Sequence, residues 1–303
     1  MRVRITVISG GPAGAQFVRG LVDHLQESPD PAEVTVIANT GDDISLWGLR
    51  VCPDVDVLLA ALGADDDSDT DRVARELSAL DVHPQWYPVT DREVGTHLAR
   101  TAWLGMGATS SEVTTRLAER RGLPARGVRI LPMSDVPVET HAVLDGPEQQ
   151  QAIHVQQWRH ELGSPPAARF IVAGMDRAAA APGVLDALRE ADVVLLTPSD
   201  PVLSTGIVLG VPGVRDALRG TSAPVVGVSP DLDDLGPSLT AVGAEPTSAA
   251  VAGLYRDVLN GWLAGTSDSP TPGSRWTTAH ADLTRPAQQV AADALNLALS
   301  LRP

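Results

Sequence analysis

Four aspartates fall within the eighteen residues from Asn39 to Asp56, in two runs: Asn39-Thr40-Gly41-Asp42-Asp43 and Cys52-Pro53-Asp54-Val55-Asp56. Carboxylates held that close repel one another unless a cation or a network of donors compensates. Hard oxygen donors of this kind suit magnesium, which takes one or two carboxylates together with phosphate oxygens and water. A plainer use of Asp42 or Asp43 is to cap a following helix. Both capping, with Asp54 and Asp56 close by, is less economical than a shared cation. A glycine-rich turn, Gly10-Gly11-Pro12-Ala13-Gly14-Ala15, precedes the cluster. It is either a tight connection that binds nothing or a cradle for phosphate. It is not the dinucleotide G-x-G-x-x-G, because Pro12 stands where that motif's second glycine lets the backbone approach a pyrophosphate.

The elements that must position these groups read as alternating strands and helices. Short apolar runs at Val3–Ser9, Val34–Ala38, Val128–Leu131, Arg169–Ala173, Val193–Leu196 and Val225–Val228 suit buried parallel strands. Helical spacing recurs over Arg72–Leu80, Arg92–Leu104, Glu112–Ala118, Val184–Ala191, Val214–Leu218, Ala249–Leu263 and Gln288–Leu301. The expected fold is α/β: a Rossmann-like, mostly parallel sheet with helices on both faces. Val138–Val143 and Ala152–Gln156 alternate instead, which predicts a small added antiparallel region. Gly63–Asp71 and Gly265–Thr284 read as loops. With no internal repeat and no linker, residues 1–303 read as one continuous domain.

Composition narrows the chemistry. The formal net charge is −15 and the pI about 4.7, which disfavours nucleic acid and anionic membrane surfaces as partners. All 23 basic residues are Arg, so Schiff-base chemistry and a Walker lysine are excluded. Cys52 is the single cysteine, which rules out an intrachain disulfide and a cysteine-rich metal site. The first apolar run is short and ends at Gly10-Gly11, so it suits a strand better than an export signal. No stretch approaches the length of a membrane span, and the expected compartment is the cytoplasm.

Further polar groups sit where ligands bind in open α/β sheets, beyond strand carboxyl ends. Ser199-Asp200 with Ser204 and Gly206 follow Val193–Leu196, and Ser229-Pro230 follow Val225–Val228. Taken alone, the first of these is a Pro-bounded turn. Asp91 is an N-cap by default, and His97 a satisfied, partly buried histidine. His154 and His160, six residues apart, do not have helical metal-ligand spacing.

In their order along the chain, these segments resemble the CofD/FbiA family, the phospholactate or phosphoenolpyruvate transferases of coenzyme F-420 biosynthesis. The resemblance covers residues 1 to 265. It is carried by the Gly10-Gly11 turn, Asn39 to Asp43, Gly48 to Asp56 and Asp91-Arg92-Glu93 with His97. It continues through Leu131 to Asp135, Glu139-Thr140-His141, Ala152 to Gln156 with Trp158, and Pro198-Ser199-Asp200-Pro201 with Ser204 and Gly206. It implies a Rossmann-like core, often dimeric, and magnesium-dependent transfer of a phospho-acid from a guanosine diphosphate ester to the side-chain hydroxyl of the deazaflavin Fo, releasing GMP. By the same resemblance, Asp42, Asp43 and Asp54 hold magnesium, and Asp42 and Asp56 are catalytic. Asp56, Asp91, Arg92, His97 and Ser134 face Fo. Gly10, Gly11, Gly14, Ser199, Asp200, Ser204, Gly206 and Ser229 face the nucleotide.

The chain departs from the family pattern at Pro12-Ala13, Val89-Thr90, Val136 and Asp200, where the family has an asparagine. The largest departure is the acidic run Asp231-Leu232-Asp233-Asp234-Leu235-Gly236, which should repel a diphosphate. Rival readings are a paralogue with another donor or acceptor, or a non-catalytic deazaflavin- or nucleotide-binding protein. An NAD-type oxidoreductase is disfavoured by Pro12 and by the lack of a ribose-binding acid.

Overall fold

The computed structural model describes residues 2–29, 31–63, 70–269 and 274–302. The chain opens with β1 (Val3–Ser9), α1 (Gly11–Glu27) and β2 (Ala32–Ala38), then a hairpin of β3 (Ile44–Leu46) and β4 (Leu49–Val51). Four helices follow: α2 (Pro53–Leu62), α3 (Arg72–Ala79), α4 (Asp91–Gly105) and α5 (Ser110–Arg120). Next come β5 (Val128–Pro132), β6 (Glu139–Asp145), β7 (Gln150–His154), α6 (Val155–His160) and β8 (Arg169–Ala173). The rest is α7 (Val184–Arg189), β9 (Val193–Leu196), α8 (Thr205–Gly210), α9 (Val214–Gly220), β10 (Val225–Val228), α10 (Gly236–Ala241), α11 (Ser248–Leu254), β11 (Gly261–Gly265), β12 (Thr277–Ala281) and α12 (Ala287–Ser300).

Seven strands form one parallel sheet in the order β12-β11-β10-β9-β1-β2-β5. Alternate side chains of each strand feed opposite cores. Val7, Val36, Ile130, Leu195 and Val226 point to one core, shared with α1, α2, α5 and α12. Ile8, Ile37, Leu131, Leu196 and Val225 point to the other, with α7, α8, α9 and α11. With few aromatics available, aliphatic side chains supply nearly all of both cores, each fully buried one worth about 1.5–3 kcal/mol. From β1 the chain builds outward through β2 to β5, then returns beyond β1 to lay down β9 to β12. The crevice between β1 and β9 is therefore the sheet's topological switch point, where ligands bind in such folds.

The second layer of organisation is an antiparallel sheet, β7-β6-β8, with α6 packed on it. Ala142, Val155 and Trp158 form its own small core around Leu203 from the main body. This is the added region that the alternation of Val138–Val143 and Ala152–Gln156 predicts. Arg169–Ala173 belongs here too, as β8, and not to the parallel sheet. Its pattern alternates exposed and half-buried residues, as an antiparallel strand with one wet face should.

Two other segments differ from expectation. The helix expected over Ala249–Leu263 ends at Leu254, and Gly261–Gly265 becomes β11; the helical spacing had merged a helix with a fully buried strand. The composition of Gly265–Thr284 predicts a loop throughout, yet Thr277–Ala281 pairs with β11 as the edge strand β12. Residues 64–69 and 270–273 of the two expected loops lie outside the described residues.

Helix α1 crosses the start of α12 at Gly20, whose missing side chain admits the other helix's backbone. A Cβ built there would lie 2.5 Å from the Gln288 amide nitrogen and equally close to Ala287. Gly20→Ala should therefore destabilise the protein by roughly 1–3 kcal/mol, despite alanine's better helix propensity. Urea denaturation reads this directly; an unchanged midpoint would mean that the two helices can part without cost.

Candidate active site

The carboxyl ends of β1, β2 and β9 meet at the switch point, and there Asp42 and Asp54 are both almost completely buried. Asn39 holds them together. Its amide nitrogen donates to Asp54 Oδ2 at 2.9 Å and reaches Asp42 Oδ1 at 3.5 Å, while its oxygen accepts the Gly41 N–H at 2.9 Å. Asp54, in the first turn of α2, accepts the Gly11 N–H through Oδ1 at 2.7 Å. From the antiparallel region, Gln156 Nε2 donates to Asp42 Oδ2 at 2.7 Å. Burial pushes the Asp42 carboxyl well up, and the charge of Asp54 adds to that. Burial also raises Asp54, with the Asn39 amide pulling the other way. A buried carboxylate pair of this kind retains a proton or takes a cation. Two such carboxylates are the protein's usual share of a magnesium donor set, which phosphate oxygens and water complete.

Asp43 is not part of that pair, and among the described residues no group of three His, Cys, Asp or Glu side chains is arranged to hold a metal. The expected trio of Asp42, Asp43 and Asp54 therefore divides. The segment after Asp43 is the β3–β4 hairpin and not a helix, so neither Asp42 nor Asp43 caps one. The hairpin turns Asp43 toward β4 and the start of α2, where Oδ2 meets Arg50 at 3.3 Å and the Cys52 thiol at 3.0 Å. Its other oxygen, buried, has no partner. Burial brings this carboxyl up to about 7, against the pull of Arg50 and the Cys52 thiol.

Beside Asp43 opens a cleft of about 460 Å³. Arg50, Thr40, Ser134 and Asp135 give it polar walls, and Leu104 and Val138 apolar ones. Thr40 Oγ1 is, like Asp43 Oδ1, buried without a partner. Arg50 is engaged twice, with Asp43 and with Glu139 at 3.2 Å.

Asp56 forms a third unit, behind the cleft. Both its oxygens pair with the Arg100 guanidinium, which is 3% exposed and also reaches the Arg50 carbonyl and His97 Nδ1. With both oxygens held by a buried guanidinium, Asp56 is by its geometry a positioning group for Arg100. His97 is buried there, and burial lowers its pKa. Of the five residues expected to face the acceptor (Asp56, Asp91, Arg92, His97 and Ser134), Ser134 lines the cleft. Asp91 does not cap α4, since Thr90 and Glu93 form that helix's capping box. It accepts instead from the Val73 N–H at 2.8 Å and the Thr70 hydroxyl, tying α3 to α4, with Arg92 beside it on the same turn.

The expected nucleotide residues gather around the crevice, but several bind the protein itself. Ser199 Oγ accepts the Gly10 N–H at 3.1 Å and donates to the Gly10 carbonyl at 2.6 Å. A Cβ on Gly10 would overlap Asp54, and one on Gly14 would sit 2.6 Å from the Ser9 hydroxyl and closer still to Ser199. Gly206 packs against the Pro201 carbonyl, and Ser204 lies 3.5 Å from Asp54. Asp200 Oδ1 accepts the Val202 and Leu203 N–H groups at 2.8 Å, and Oδ2 faces Arg159 at 3.4 Å. Ser229 is buried at the end of β10. In the acidic run after it, Asp231, Asp233 and Asp234 are exposed while Leu232 and Leu235 pack into the core. Asn39, Arg50, Gln156 and Arg159 were not expected as site residues. Gln156 and Arg159 share one face of α6 at i, i+3, a spacing that the sequence does show.

The chain is similar to known proteins over nearly its whole length. The family model for the 2-phospho-L-lactate transferase CofD matches residues 5–300, beyond the span expected from the motifs. A phosphoenolpyruvate transferase of Thermobifida fusca is 41% identical over 290 residues, covering 89% of this chain and 88% of that protein. One from Streptomyces griseus is 44% identical over 283 residues, covering 88% and 87%. A Bacillus halodurans protein described as a member of the UPF0052 family shares the fold, with a TM-score of 0.66, 16% identity and coverage of 97% of this chain and 100% of that one.

The tautomer of His154 links the antiparallel region to the acidic hairpin. Its Nδ1 accepts the Gln156 N–H at 3.2 Å, so Nε2 carries the proton facing the Asp43 carbonyl, also at 3.2 Å. Burial, then the neighbouring His141, lowers its pKa from 6.5 to about 4, while Glu139 acts the other way. Below pH 6.5 the unfolded chain takes up a proton there that the folded chain refuses until about pH 4. Stability fully present above 6.5 is thus lost as the pH falls through that window. Asp43 acts in the opposite sense, since its raised pKa costs stability as the pH rises from 3.8 to about 7. Stability curves of wild type and His154→Phe should therefore converge by roughly 1–3 kcal/mol between pH 6.5 and 4. Parallel curves would remove His154 from the linkage.

Proposed function

Because the chain belongs to the 2-phospho-L-lactate transferase CofD family, we propose that it transfers a phosphoenolpyruvyl group from a guanosine diphosphate ester to the side-chain hydroxyl of the deazaflavin Fo, with release of GMP. The phosphoenolpyruvyl group is favoured over phospholactyl by the names of the curated relatives. The observation that carries the reading is the buried Asp42–Asp54 pair at the switch point, next to a cleft with two unpartnered oxygens.

Asp42 and Asp54 would hold magnesium. Bound there, the ion would neutralise charge on the diphosphate as the hydroxyl attacks. The chain's own groups do the rest. Asn39 and Gln156 fix the two carboxylates by hydrogen bonds to three of their four oxygens. The cleft, lined by apolar side chains together with hydroxyls and carboxylates, suits a planar ring with a polyol chain better than an anion. Asp43 Oδ1 and Thr40 Oγ1 would receive hydroxyls of that chain. The terminal hydroxyl attacks the phosphorus of the phospho-acid, a new P–O bond forms, and the bond to GMP breaks with its electron pair leaving on GMP. The proton released passes to Asp43 and on to solvent. Positioning and charge neutralisation, not a covalent intermediate, carry the rate.

Purified protein with magnesium, Fo and freshly made guanosine diphosphate esters of phosphoenolpyruvate, phospholactate and phosphoglycerate tests this by mass spectrometry. A phosphoenolpyruvyl adduct of Fo with matching GMP is the expected product, and chelation should abolish it. Asp42→Asn and Asp43→Asn should each reduce turnover more than about a hundredfold while melting near wild type. Asp56→Asn should instead lower stability together with activity, because it leaves Arg100 buried without its partner. No adduct from any ester, beside an active relative, would sink the reading.

A further inference from the structure

Charge at the switch point does not balance without another cation. Magnesium would offset Asp42 and Asp54, but a diphosphate ester brings further negative charge into a protein of net charge −15. The glycine turn has little left to offer it. The Gly10 N–H is bound to Ser199, the Gly11 N–H to Asp54, and Pro12 has none. Two of the nearby guanidiniums are engaged as well: Arg100 is buried in its pair with Asp56, and Arg50, 17% exposed, bridges Asp43 and Glu139.

Arg159 is differently placed. It is 28% exposed and meets Asp200 through a single contact at 3.4 Å. It sits three residues after Gln156 on α6, and Gln156 touches Asp42 at 2.7 Å. Its charge lies within electrostatic reach of both Asp42 and Asp54. Asp200 in turn is fixed by the Val202 and Leu203 N–H groups, so it offers Arg159 a rigid anchor.

We propose that Arg159 binds the phosphate groups of the nucleotide donor across from the Asp42–Asp54 pair, with Asp200 as its positioning residue. This rests on the nucleotide-diphosphate reading above and extends it to residues of the antiparallel region. It also gives the charge on Asp200 a purpose: an asparagine there would keep the turn but lose the ionic anchor. Guanidinium geometry matters, since a fork can take two phosphate oxygens at once where an ammonium takes one point contact.

Calorimetric titration of the full chain with GDP, ADP, GMP and guanosine, each with magnesium, tests the assignment without needing turnover. Arg159→Gln should weaken GDP roughly ten- to a hundredfold and leave guanosine unchanged, and Arg159→Lys should fall between it and wild type. Asp200→Asn should weaken GDP by a smaller factor with the preference for GDP over ADP unaltered. Melting curves near wild type establish that the variants fold. GDP binding at wild-type strength by Arg159→Gln would overturn the proposal. So would an altered base preference in Asp200→Asn, which would return that residue to guanine recognition. Wild-type protein that binds no GDP would overturn the nucleotide reading itself, and the two failures are thereby told apart.

Discussion

Burying two carboxylates against each other is the constraint on which the rest of this site depends. Taking a carboxylate out of water costs several kcal/mol, and a second one beside it adds repulsion. The fold meets that cost with directed donors. Asn39 is fixed at the end of β2, Gly11 presents its N–H at the start of α1, and Gln156 arrives from a separate sheet. Each donor is itself held, Asn39 by the Gly41 amide and Gln156 by the His154 cap. The carboxylates are therefore oriented before any ligand enters, which is the condition for electrostatic catalysis.

The same constraint explains why four aspartates so close in sequence do not act together. A single buried cluster of four would need more compensating charge than one cation supplies. The β3–β4 hairpin divides them: Asp43 is turned to Arg50, and Asp56, in the first turn of α2, meets Arg100 from α4. Each unit has its own compensation, a guanidinium for Asp43 and for Asp56 and, in the proposed reaction, a cation for the pair.

Much of the fold was legible because short aliphatic runs and helical spacing are local signals. Val193–Leu196 and Val225–Val228 have the expected bounds, and Gly10 and Asp54 fall at the switch point that the strand order creates. What local pattern does not encode is partner choice. Gly261–Gly265 follows a helix so closely that its apolar residues continue the helical spacing, and only pairing with β10 makes it a strand. Likewise, Asp91 and Ser199 lie in motifs shared with the family, but their side chains close bonds within the protein. The proximity of Gln156 and Arg159 to Asp42 depends on a contact across 114 residues, which no spacing rule reaches.

A parallel sheet covered on both faces leaves almost no room for charge along its strands, since a charged side chain there would enter one of the two cores. Polar chemistry can enter only at strand ends or from elements added outside the sheet. Here the strand ends supply the acids and the amide, and the flanking antiparallel sheet, with one face free of the core, carries α6 and its guanidinium to them. The added region thus does what the central sheet is physically unable to do. It brings a basic side chain to a crevice whose own walls are acidic, in a chain that has arginine as its one permanent cation.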